Sequence, residues 1–166
     1  MLRSTSALLV LALASCGGGA ATAKSASGAE DAAGPGEARA DSPGAQCIAD
    51  ANAARDRRAD EPGRIGLSHI LVRHAELQRP LGATRSREQA CLQAIEALDA
   101  LQGGSEWNDA VERLSDAADS THGGLGTVSR DDLPAALADA AFALEVDELS
   151  YVVESDRGFH ILLRTE

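Results

Sequence analysis

Two segments that read as β-strands each contain a histidine. His69 lies within LSHILVRH, residues 67–74, and His160 within GFHILLR, residues 158–164. A strand interior normally takes Ile, Leu or Val, so a titratable ring there needs a reason. Strand alternation puts Leu67, His69, Leu71 and Arg73 on one face and Ile70 and Val72 on the other, the face that looks like core. The second chemical feature is basic. Arg73, Arg79, Arg85 and Arg87 fall in a stretch whose one acidic residue is Glu76. Guanidinium groups so placed can bind phosphate or carboxylate, or can simply solvate the entry to a helix. A metal set of His69, His74, His122 and His160 has little support, because His69 and His74 face opposite sides of a regular strand. The cysteines lack zinc-site spacing. No metal or cofactor is expected.

The elements that must hold these side chains follow from periodicity and turn chemistry. A strand over Gly66–Arg73 leads into the loop HAELQRPLGAT. SREQ, Ser86–Gln89, fits a capping box opening a helix with Cys91, Ile95, Leu98 and Leu101 on one stripe, ended by Gly103–Gly104. Ser105 can cap a second helix with Trp107, Ala110, Val111 and Leu114 at helical spacing. SDAADSTHGGLG is turn and loop. A short strand over Leu125–Ser129 follows, and Pro134 suits the first turn of a helix carrying Leu137, Ala141 and Leu144. Strands near Leu149–Val153 and Phe159–Arg164 flank ESDRG as an antiparallel hairpin. The order is that of an α+β domain with a small sheet and helices packed on it.

LSHILVRH, SDAADSTHGGLG, AAFAL and RGFHILLRTE, in this order and spacing, resemble the parvulin peptidyl-prolyl cis/trans isomerases over residues 65–166. The resemblance implies an FKBP-like superfold: a four-stranded antiparallel sheet surrounded by about four helices. It implies rotation about Xaa–Pro bonds, which breaks no covalent bond and requires no cofactor. It implies that His69 and His160 lie together at the active site, each ring orienting the other. Leu125, Leu133 and Leu137 would line the proline slot, and Ser155 would supply a hydroxyl at its rim. VRHAELQRP resembles the loop by which phosphate-directed parvulins favour phosphoserine or phosphothreonine before proline; outside the cytoplasm, Glu or Asp at that position is the other expected anion. Arg73 and Arg79 match two of its basic positions, and Gln78 stands at a third.

The sequence also departs from the family. Its Cys or Asp after the second helix falls on Ala117 counted from Ser115, or on Asp116 counted back from Gly123; Asp119 is a third candidate. Asp116 is the preferred acidic group here. An Asp is missing from Gly123-Gly124-Leu125-Gly126. Leu137 replaces a large aromatic, and Asp147 replaces a glycine. A non-catalytic parvulin-like module that binds peptides is therefore the alternative to an isomerase.

The remaining sequence bears on location. Arg3, the apolar run Ala7–Ala14 and LASC, Leu13–Cys16, resemble a lipoprotein signal peptide over residues 1–15, with Cys16 lipidated and the mature chain at a bacterial envelope facing the periplasm. Gly17 after the cysteine leans toward outer-membrane sorting. Residues 16–62 read as a flexible tether rich in Ala, Gly and Ser, with a reach of roughly 35–40 Å. A short helix within residues 45–61 is compatible with the composition. An oxidising compartment permits a Cys47–Cys91 disulfide, but the preferred reading leaves Cys91 buried and Cys47 a free thiol. The isomerase domain would span 63–166. With a net charge of −11 and a pI near 4.7, nucleic acid is not an expected partner. The expected partners are proline-containing clients and, through Cys16, a lipid bilayer; nothing requires more than a monomer.

Overall fold

The computed structural model describes residues 41–117 and 121–166. Residues 1–15, expected to be a signal peptide, Cys16, most of the segment expected to be a tether and Asp119 lie outside the described residues. Among the described residues no helix is long and apolar enough to cross a membrane.

The elements run α1 (Pro43–Ala51), β1 (Ile65–Val72), α2 (Arg87–Gln102), α3 (Trp107–Leu114), β2 (Gly124–Val128), α4 (Ala135–Ala143), β3 (Val153–Ser155) and β4 (Gly158–Arg164). The strands form one antiparallel sheet in the order β2-β1-β4-β3. This is the parvulin architecture expected from the motifs. β1 and β4 occupy the centre, which accounts for their dense Ile, Leu and Val content. Both faces of β1 are covered. Ile70 and Val72 pack with α1, α2 and α3 in one cluster, while Ile65 and Leu67 pack with α4 in a second. The face assigned to chemistry is therefore partly core as well.

Local chemistry sets the helix starts. Ser86 Oγ accepts from the Gln89 N–H and Gln89 Oε1 accepts from the Ser86 N–H, so the capping box is complete. The expected Ser105 cap is displaced by one residue: Glu106 is the N-cap of α3 and makes no side-chain capping bond. The buried stripe of α2 is also different. Ala90, Cys91, Ala94 and Ala97 are fully buried, with Ile95, Leu98 and Leu101 at the margin. Small side chains let the helix approach its neighbours closely, and the larger ones then cover the edges.

Residues 43–51, within the segment read as tether, form a helix packed on α2, overlapping the short helix that the composition of residues 45–61 allows. Ser42 caps it through a 3.0 Å bond from the Ala45 N–H. Cys47 and Cys91 are joined by a disulfide, with Cα atoms 6.0 Å apart. This overturns the preference for a free Cys47, because docking α1 on α2 brings the two cysteines face to face. The following segment is tied by ion pairs from Arg57 to Asp139 (2.9 Å), Arg58 to Glu145 and Glu61 to Arg130 (2.6 Å).

The third strand begins later than alternation suggests. Leu149 makes only an isolated bridge to Leu163, and β3 proper is Val153–Ser155. Buried Ser150 explains the interruption: its Oγ accepts from the Leu162 N–H at 2.9 Å, so a side chain replaces a backbone rung. Asp147 adopts φ +67°, a left-handed conformation that Asp tolerates better than most residues. That backbone accounts for a glycine at this position in the family pattern.

Candidate active site

β1 and β4 bring the two histidines together. Their register pairs Leu71 with His160 and His69 with Leu162, so the histidines are diagonal neighbours on one face. Their Nδ1 atoms lie 3.2 Å apart, and the rings are stacked with centroids at 5.4 Å. On the far side of His160, Nε2 lies 2.8 Å from Ser155 Oγ, at the end of β3. Ser155 Oγ also accepts from the Arg157 N–H at 3.0 Å. This favours the hydroxyl proton pointing to His160 Nε2. His160 then carries its proton on Nδ1 and donates to His69.

His160 is 1% exposed and His69 8% exposed. Burial, followed by the charges of His69, Arg157 and Arg73, pushes the His160 ring down to about 3. It is neutral at physiological pH and offers an oriented dipole rather than a proton. His69 is the more exposed ring of the pair.

Glycine is needed on both sides of this pair. Gly123 has φ +74°, and a Cβ there would collide with the His69 carbonyl. Gly158 has φ +131°, and a Cβ would collide with the Val72 carbonyl. These two glycines let the loop before β2 and the β3–β4 turn press against β1.

Asp116 is placed differently from the histidines. Its carboxylate accepts from the Arg73 N–H at 2.8 Å and from the Arg85 guanidinium; its carbonyl accepts from the Arg73 guanidinium. The Asp116 N–H donates to the Leu71 carbonyl at 2.6 Å. Ser115 Oγ accepts from the Leu71 N–H (3.1 Å) and the Ala117 N–H (3.2 Å). Residues 115–117 are thus fastened to the end of β1, with Asp116 directed at arginines and Ala117 buried. Arg85 as the partner of Asp116 is not visible from sequence spacing.

The three leucines differ in their surroundings. Leu137 is 4% exposed within the α4 cluster, Leu133 packs against that cluster half-buried, and Leu125 on β2 is 37% exposed. Two clefts open on the arginine side. One, of about 480 Å³, is lined by Arg73, Leu81, Arg85 and Asp116 among others. The other, of about 760 Å³, is lined by Arg73, Glu76, Arg79, Leu81, Asp156 and Arg157 among others. Arg73 and Arg79 are therefore brought to one cleft, and Arg157 joins them from the β3–β4 turn. Sequence reasoning missed Arg157, whose only signal was its place two residues after Ser155.

A layer beneath the site anchors β3. Glu154 receives two 2.6 Å bonds from Arg87 on α2 and one from Asn52 at the end of α1. Burial alone would raise its carboxyl, but these bonds outweigh it and hold the group low. His74, 4.0 Å from Glu154, has no hydrogen-bond partner among the described residues; burial lowers it, so it too is neutral.

The PPIC-type PPIase domain (Rotamase) family model matches residues 69–166. The chain is 39% identical over 113 residues to peptidyl-prolyl cis-trans isomerase pin1 of Schizosaccharomyces pombe, covering 64% of this chain and 65% of that protein, just under two thirds of its length. It is 31% identical over 113 residues to the foldase protein PrsA of Halalkalibacterium halodurans, covering 67% of this chain and 29% of that protein. Among solved structures, the peptidyl-prolyl isomerase ESS1 from Candida albicans aligns with a TM-score of 0.57 at 26% identity, over 66% of each chain. With the sheet order, the histidine pair and the family match over most of the folded region in agreement, the chain belongs to the PPIC-type, or parvulin, family of peptidyl-prolyl cis/trans isomerases.

Proposed function

We propose that this protein rotates Xaa–Pro bonds of exported polypeptides, favouring an acidic or phosphorylated residue before the proline. The uncatalysed rotation crosses a barrier of about 18–20 kcal/mol and takes tens to hundreds of seconds. Catalysis needs a slot for the proline ring and fixed dipoles that favour the twisted amide. The observation that carries this reading is the chain Ser155–His160–His69, two bonds of 2.8 and 3.2 Å through the buried His160 ring. Leu125, Leu133 and Leu137 would receive the proline ring. Arg79, in the cleft it shares with Arg73, would attract the preceding anion. The Cys47–Cys91 disulfide supports an oxidising location. Lipidation at Cys16, a bacterial envelope and a role in folding belong to the same proposal, the last supported by the foldase relative.

A second reading, a peptide-binding module without catalysis, is favoured by one observation: Asp116 is engaged by Arg73 and Arg85, and its neighbour is Ala117. Cis/trans exchange of Glu-Pro, phosphoserine-Pro and Gln-Pro peptides, followed by NMR with the full chain, separates the two. Faster exchange is expected for the anionic peptides. Shifted peptide signals with no acceleration would leave the binding module.

A further inference from the structure

We propose that Arg157, at the turn between β3 and β4, is a specificity residue that receives, with Arg79, the anionic side chain of the residue preceding proline. This rests on the acidic preference proposed above and names a residue that delivers it. Arg79 and Arg157 reach the same 760 Å³ cleft from two separate segments, the loop after β1 and the β3–β4 turn. The other charges of the cleft are mostly engaged. Arg73 donates to the Asp116 carbonyl, and Glu76 accepts from the Arg87 N–H at 2.9 Å. Among the described residues, Arg79 and Arg157 have no side-chain hydrogen bond or ion pair, and neither has Asp156. The cleft therefore keeps two uncommitted guanidinium groups against one uncommitted carboxylate.

The position of Arg157 also fits an anion adjacent to the reacting amide. Its own N–H holds Ser155 Oγ, which in turn contacts His160. The guanidinium thus springs from the residue whose backbone N–H holds Ser155, the end of the histidine chain. The side chain before proline is covalently one residue from the bond that rotates, so an anion there must come close to groups beside that chain. The charge of Arg157 is felt at His160 itself, among the causes of its lowered pKa. Removing the side chain leaves the backbone bond to Ser155 in place, so Arg157→Ala tests charge apart from turn geometry.

The experiment compares kcat/KM for Glu-Pro, phosphoserine-Pro and Gln-Pro peptides in the full chain and in Arg157→Ala, Arg157→Lys, Arg79→Ala and Asp156→Asn. The readout is the ratio of each anionic peptide to Gln-Pro. Arg157→Ala is expected to lower the ratio by about threefold, the scale of one solvent-exposed charge pair. Arg157→Lys should retain most of it, and Asp156→Asn should raise it. The phosphoserine and glutamate arms distinguish phosphate from carboxylate as the anion read. A ratio unchanged in Arg157→Ala but lowered in Arg79→Ala overturns the role of Arg157 and leaves the acidic preference standing. A wild-type ratio of one overturns both.

Discussion

Nδ1 of His69 lies 3.2 Å from Nδ1 of His160, and neither ring is more than marginally exposed. Two imidazoles in that relation cannot both donate, so the pair holds one shared tautomeric arrangement. A buried pair has consequences for stability, and its neighbours have consequences for activity.

The His160 ring takes up a proton near 6.5 in the unfolded chain but only near 3 when folded. Between those values the unfolded state binds more protons, so stability is complete above 6.5 and falls as the pH drops toward 3. The slope approaches ~1.4 kcal/mol per pH unit. His74, lowered by burial, acts in the same direction. Urea unfolding at pH 7.5, 6 and 5, where carboxylates contribute little, should show this loss. A flat profile would mean that the pair is hydrated or charged.

Ser155→Ala removes the hydrogen bond to His160 Nε2 and the acceptor for the Arg157 N–H. A loss of about 1–3 kcal/mol in stability is expected from the unsatisfied buried nitrogen. kcat/KM should fall about fivefold, with Ser155→Thr restoring much of it. Normal activity in Ser155→Ala would show that His69 is oriented without this hydroxyl.

Asp116→Ala releases the Arg73 N–H and the Arg85 guanidinium. Stability should drop by about 1–3 kcal/mol through loss of a charge-assisted bond. Preference for Glu-Pro over Gln-Pro should rise, because a carboxylate is removed and the Arg85 guanidinium is released. If catalysis disappears on every peptide while the fold persists, Asp116 acts on the amide itself.

Leu125→Ala and Leu137→Ala separate the slot from the core. Leu137 is buried, and its truncation should cost about 2–5 kcal/mol. Leu125 is partly exposed, so its truncation should leave thermal unfolding nearly unchanged and raise KM. An unaltered KM in Leu125→Ala would remove that residue from the proline slot.

Reduction of Cys47–Cys91 releases α1 from a cross-link spanning 44 residues. A stability loss of about 2–4 kcal/mol is expected from the restored freedom of the unfolded chain. The denaturant midpoint should fall on adding dithiothreitol, and Cys47→Ser should match the reduced protein. No change on reduction would mean that packing alone holds α1.

Much of this molecule was legible in its sequence because the relevant signals are local. The capping box at Ser86–Gln89, the Ile- and Leu-rich strands around His69 and His160, and the glycines before β2 report the conformation of their own segments. Order and spacing then sufficed for the family and the sheet. Tertiary structure alone decided the rest. Whether Cys47 meets Cys91 depends on docking an alanine-rich helix whose apolar face is too thin to recognise in isolation. The direction of Asp116 depends on Arg85, 31 residues away, and the company of Arg157 depends on a loop joined to it only through the β1–β4 pairing. Periodicity identifies which face a side chain leaves from. Which charge or ring it meets there is set by register and helix docking, interactions between segments distant in the chain.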